Sequence, residues 1–184
     1  DDELRKLKDQ LKDGSSGITN IEALEEIVNY YFENEKYDDA LHFVNQLLSL
    51  IPYSADTWQR KGMILSNLGR YEEAGESLDK ALSLNPVDPE LLINKGITLD
   101  DYGKTEEAIT FFERALEVDP SNEEALFNKS IALEKLGRYD EAVAIFKFLL
   151  DSNSEHRDAW YELGYCYDYL DRLEDSLACY DSHL

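Results

Sequence analysis

The chain has 184 residues, 43% of them hydrophobic, and a formal net charge of -22. That apolar share is enough for a packed core, so disorder is not expected. The acidity is spread along the chain with no net-basic block, which excludes a nucleic-acid backbone as partner and disfavours an anionic membrane surface; both need a clustered positive footprint. No apolar run nears the roughly 20 residues of a membrane span, and no signal peptide is evident, so a cytoplasmic location is expected. The chain starts at Asp1 without an initiator Met, as a fragment or processed product would. Cys166 and Cys179 are too few for a disulfide framework, and buried reduced thiols are expected.

Residues 1–20 read as a leading helix and a linker. Leu4, Leu7 and Leu11 fall on one helical face, suited to covering whatever follows. Gly14, Ser15, Ser16 and Gly17 then read as a hinge.

From residue 21 a 34-residue pattern is written four times, at 21–54, 55–88, 89–122 and 123–156, with a truncated fifth copy over 157–184. Alanine recurs at Ala40, Ala74, Ala108 and Ala142, with Ser176 next in the series. Proline recurs at Pro52, Pro86 and Pro120, and glycine at Gly69, Gly103 and Gly137. A second small-residue series runs through Gly62, Gly96, Ser130 and Gly164. A period of this size means stacked helical pairs. Each copy opens on a helix-start signal: Asp88 before Pro89, and Ser121-Asn122 before Glu123-Glu124. Each breaks at a glycine or polar turn and restarts; Thr105 is placed to cap the second helix of its pair. The glycines of the second series are expected to face the alanine column, where a larger side chain would force the helices apart.

These residues resemble the tetratricopeptide repeat family. The second copy matches best, with Trp58, Gly62, Leu65, Gly69, Tyr71, Ala74, Leu78, Ala81 and Pro86 on the family's spacing; the fifth shows Trp160, Leu163, Gly164 and Tyr167. The first copy departs, with Leu24 and Val28 where tryptophan and glycine are usual. The resemblance implies an all-α fold, a right-handed superhelical array (α-solenoid) of antiparallel helix pairs whose first helices line a concave groove. Its groove positions carried onto this chain give Asn29, Arg60, Ile93, Asn94, Ile97, Phe127, Asn128, Ile131, Tyr161 and Tyr165, with Glu162 and Tyr169 beside them. Asn94 and Asn128 share a register position, and an amide that donates and accepts at once can clamp an extended peptide backbone. Apolar side chains around them suggest a covering partner; the alternative is that neighbouring repeats cover them and the amides bond locally. The family's grip on a C-terminal carboxylate is not implied, because Glu25 stands where a clamp lysine would be. Lys61, Lys95 and Lys129 form another 34-residue column, placed either to balance neighbouring carboxylates or to form a basic strip.

Catalytic signals are weak. His42, His156 and His183 are isolated, no phosphate loop or dinucleotide fingerprint occurs, and no cofactor or metal is expected. The expected function is a non-enzymatic scaffold binding a peptide segment or helix of another protein in the groove. Two alternatives stay open: the regulatory or targeting arm of a larger enzyme, and a structural array that self-associates through an open C-terminal end.

Overall fold

The computed structural model describes residues 2–12 and 17–183. They form α1 (Asp2–Lys12), α2 (Gly17–Glu33), α3 (Tyr37–Leu50), α4 (Ala55–Asn67), α5 (Tyr71–Leu84), α6 (Pro89–Asp101), α7 (Thr105–Val118), α8 (Glu123–Lys135), α9 (Tyr139–Ser152), α10 (Arg157–Tyr169) and α11 (Leu173–His183). No strand occurs among the described residues. The expected hinge falls on residues 13–16, outside the described residues, while Gly17 opens α2 instead of ending a linker.

The turn within each pair follows one design. The second residue after each first helix takes positive φ: Glu35 (56°), Gly69 (70°), Gly103 (83°), Gly137 (73°) and Asp171 (56°). This left-handed residue lets the next N–H turn back onto the helix it has left. Lys36, Arg70, Lys104, Arg138 and Arg172 accordingly donate to the carbonyls of Tyr31, Leu65, Leu99, Leu133 and Tyr167 at 2.8–2.9 Å. The same five cationic residues begin the second helices, and four of them pair with an acid three residues on, as Arg70 does with Glu73 at 2.6 Å. Pairs this exposed are worth under about 1 kcal/mol each.

First helices are capped by side chains on the 34-residue register. Ser54, Asp88, Asn122 and His156 accept from the backbone N–H of Thr57, Leu91, Ala125 and Ala159 at 2.9–3.3 Å. Such caps are each worth about 1 kcal/mol. Thr105 is not a cap: Lys104 holds that position, and the threonine hydroxyl donates to Asp100 at 2.8 Å.

The chain divides into two compact units, Asp1–Pro86 and Val87–Leu184. In the first, Ile27, Val28, Tyr31, Ala40, Val44 and Ile64 form a buried cluster, and Leu4, Leu7 and Leu11 of α1 pack on it. Lys8 also reaches across to the Tyr31 hydroxyl at 2.6 Å. In the second unit α6 to α11 pack in sequence, and α8 also touches α6 and α10. Its largest fully buried side chains include Phe112, Leu133, Phe146 and Leu149.

The small residues do not face the alanine column alone, as expected, but the large residue one turn beyond it. A Cβ on Gly62 would lie 2.7 Å from Leu78 Cγ, on Gly96 2.4 Å from Phe112 Cε1, and on Gly164 2.7 Å from Tyr180 Cε1. Alanine in the second helix leaves room, and the bulky neighbour fills it down to the glycine backbone. Ser130, the non-glycine member, is fully buried and donates its hydroxyl to the Leu126 carbonyl at 2.9 Å.

Candidate functional site

In the first unit the groove expectation falls on Asn29 and Arg60. Asn29 is exposed on α2 and Arg60 half-buried on α4, and the guanidinium donates to the Asn29 side-chain oxygen. The two groups satisfy each other across adjacent first helices.

In the second unit the same register spans α6, α8 and α10. Ile93 departs from expectation: it is 2% exposed and belongs to the core. Its position on α6 turns it toward packed neighbours, so no ligand reaches it. Asn94 and Ile97 on α6, and Phe127, Asn128 and Ile131 on α8, are half-buried. Asn128 donates its amide to the Glu124 carbonyl at 2.8 Å, a bond back to its own helix that commits the donor end. Phe127 stacks on His156 at 5.1 Å and meets Phe146 edge-on at 6.0 Å. The ring is therefore part-structural. Tyr161 is 47% exposed, its ring 5.6 Å from Tyr180.

Further along the same helices lies a cluster that the sequence reading named only in part. Glu162, Tyr165, Cys166 and Tyr169 share one face of α10, at helical spacings of three and four. Tyr139 at the start of α9 stacks on Tyr169, with centroids 4.6 Å apart, and Tyr165 tilts against Tyr169 at 4.9 Å. Glu134 of α8 completes the group. Burial, and then the charge of Glu162, push its carboxyl up to about 7. Burial likewise raises Glu162, followed by the charge of Asp158. The Cys166 thiol lies 3.9 Å from Glu134 Oε2, and burial pushes it up to about 12, so it stays neutral. The hydrogen bond to Tyr169, and then burial, raise the Tyr165 phenol. Lys135, next to Glu134, is drawn instead to Asp100 of α6 at 2.5 Å. The helical spacing on α10 was legible in the sequence, but the approach of Glu134 and Tyr139 needed the stacking of α8, α9 and α10.

The lysine column serves packing more than a strip. Lys129 pairs with Glu113 of α7 at 2.9 Å, Lys61 lies 5.3 Å from the Trp58 ring centroid, and Lys95 is buried 5.9 Å from that of Phe111. A cleft of about 340 Å³ lies on a different face of α10, lined by Leu150, Trp160, Leu163, Tyr167 and Cys179. Among the described residues no group of three or more His, Cys, Asp or Glu side chains could hold a metal ion. None of the described helices is long and apolar enough to cross a membrane.

Helix pairs on a fixed register, with a face of amides, aliphatics and tyrosines, define a helical-repeat array. Profiles of the tetratricopeptide repeat match residues 55–88, 101–147 and 127–184, together more than half the chain. The chain belongs to the tetratricopeptide repeat family. No curated protein matches the sequence closely enough to count as a relative. Among solved structures it is similar to residues 41 to the end of MamA from Desulfovibrio magneticus RS-1, at a TM-score of 0.79 and 17% identity over 89% of this chain and 92% of that one. It is similar to YrrB, described as a TPR protein with an unusual peptide-binding site, at a TM-score of 0.71 and 24% identity over 96% and 90%. These likenesses show the fold.

Proposed function

We propose that this chain is a non-enzymatic scaffold that holds an extended segment or helix of another protein on its first-helix face. In the second unit Asn94, Ile97, Phe127, Asn128, Ile131, Tyr161 and Tyr165 make the contact; Asn29 and Arg60 present the corresponding face of the first. The observation carrying this reading is the pairing of Ile97 with Ile131, and of Asn94 with Asn128, at equivalent positions of neighbouring helices. Each is half-buried, not covered. Half-exposed aliphatics beside amides lose little on being covered and gain by excluding water. The likeness to YrrB, a TPR protein with an unusual peptide-binding site, is consistent with it. The test is capture from lysate by the wild-type array beside the Asn94→Ala/Asn128→Ala variant, with unchanged helicity checked by circular dichroism. A protein kept by the first and lost by the second supports the reading; equal retention moves the site elsewhere.

A second reading has its own observation. Leu173 and Leu177 of α11 are each 65% exposed, whereas Val143, the equivalent of Leu177 on α9, is buried. An apolar stripe of this kind can pair with another copy. Light scattering that shows mass rising with concentration, and Leu177→Glu abolishing the rise, would support self-association.

A further inference from the structure

Amide clamping leaves one part of the first-helix face unexplained: the tyrosine patch made by Tyr139, Tyr165 and Tyr169 with Glu134 and Glu162. Tyr169 is 57% exposed, so much of its ring is open to solvent while Tyr139 stacks on it. Glu134 and Glu162 are half-buried, the Cys166 thiol lies 3.9 Å from Glu134 Oε2, and burial together with the charge of Glu162 favours the protonated Glu134 carboxyl. The nearby cation, Lys135, is held by Asp100. The patch therefore offers electron-rich ring faces and a partly desolvated acid pair. An anion would be repelled, and an apolar group would bury the carboxyls further at a cost. A cation satisfies both features at once: it sits on the ring quadrupole and takes the place of the Glu134 proton as the positive partner.

We infer that this patch receives a lysine or arginine side chain of the bound protein, with its cation against the Tyr165 and Tyr169 rings and the Glu134–Glu162 pair. The inference rests on the first-helix-face reading and adds the chemistry of the segment held there: a basic residue flanked by apolar ones, the latter covering Ile97 and Ile131. The acidity of the whole chain steers such a segment toward it. The groups facing the pair are Lys135 from α8, Tyr139 from α9, and Asp158, Tyr165, Cys166 and Tyr169 from α10. Burial raises the Cys166 thiol and the Tyr139 phenol, and a hydrogen bond followed by burial raises the Tyr165 phenol, so the Glu134 carboxyl is what responds when a cation arrives. Glu134, pushed up to about 7, gives up its proton, and binding strengthens as pH rises through that value.

The test is calorimetric titration of the 184-residue protein with a blocked peptide carrying one arginine between leucines, beside the same peptide with citrulline at that place. The arginine peptide should bind about tenfold tighter. Glu162→Gln and Tyr169→Leu should each bring it to the citrulline level, while Glu26→Gln, an exposed acid of the other unit, should leave it unchanged. Titrations in two buffers of different ionisation enthalpy should show proton release near pH 7 that vanishes in Glu134→Gln. Equal binding of both peptides, lost in Asn94→Ala/Asn128→Ala, overturns the inference and leaves the face reading standing. Equal loss in Glu26→Gln makes the effect diffuse charge and also overturns it. Failure of both peptides to bind overturns it as well, and the capture experiment then decides the face reading separately.

Discussion

Replacing Gly96 with alanine adds one methyl group where, among the described glycines, a Cβ would meet its neighbour most closely. The new Cβ would meet three atoms of the Phe112 ring at 2.4, 2.8 and 2.8 Å. Carbon atoms pack comfortably at about 3.5–4.0 Å, so α6 and α7 must separate by roughly 1 Å or the ring must leave its rotamer. Phe112 is 1% exposed and has nowhere to go. Overpacking of this kind costs about 2–3 kcal/mol, and alanine returns about 1 kcal/mol of helix propensity, for a net loss of about 1–2 kcal/mol. Gly103→Ala makes the control. Nothing lies within 4 Å of a Cβ there, but its φ of 83° is left-handed, so the loss of about 1–2 kcal/mol comes from the backbone alone. Urea unfolding followed by far-ultraviolet dichroism measures both, with midpoints compared at unchanged slope. Hydrogen exchange separates them: Gly96→Ala should loosen amides along the α6–α7 contact, and Gly103→Ala those at the turn. A Gly96→Ala midpoint at or above wild type would refute the packing argument.

Ser176 stands where the other four copies have alanine, and its buried hydroxyl has no hydrogen-bond partner. The nearby Tyr180 hydroxyl is committed to Asp168 at 3.0 Å. Ser176→Ala should therefore raise stability by about 1 kcal/mol, read as a higher urea midpoint; a lower one would mean the hydroxyl is satisfied. Glu134 is held at about 7 in the fold against an ordinary 4.5, so the fold favours its protonated form. Its contribution is complete below the ordinary value and is lost as pH climbs through about 7. Wild-type stability should fall between pH 4.5 and 7 by on the order of 1 kcal/mol after solvent screening, and Glu134→Gln should flatten that part of the pH profile. An unchanged profile would count against the buried pair.

Much of the fold was legible because 34-residue spacing is a geometric statement: equal steps along the chain place equal side chains at equal places in a stack. Asp88 and Asn122 could be recognised as caps for the same reason. Thr105 misled because a threonine before two glutamates looks like a cap. The left-handed Gly103 lets the chain enter the helix one residue earlier, at Lys104. The five cationic residues that open the second helices were a periodic signal left unread. The face was harder. Ile93 and Ile97 are one turn apart on α6, yet one is core and the other half-exposed, a difference set by neighbouring helices and invisible to spacing. Asn128 bonds to its own helix, a local alternative that sequence leaves open. Glu134 comes to Glu162 only through the packing of α8 on α10.

The left-handed turn residue is glycine in the three middle pairs but Glu35 in the first and Asp171 in the last. A side chain in that conformation costs about 1–2 kcal/mol. The last pair also carries the unsatisfied Ser176. Opening should therefore be cheapest there, and α10, with most of the tyrosine patch, belongs to that pair. A ligand on the patch would close the part of the chain most often open. Its affinity would then include the work of ordering α10 and α11, and a substitution such as Asp171→Gly, in the turn after α10, would tighten binding by raising the fraction of molecules already closed.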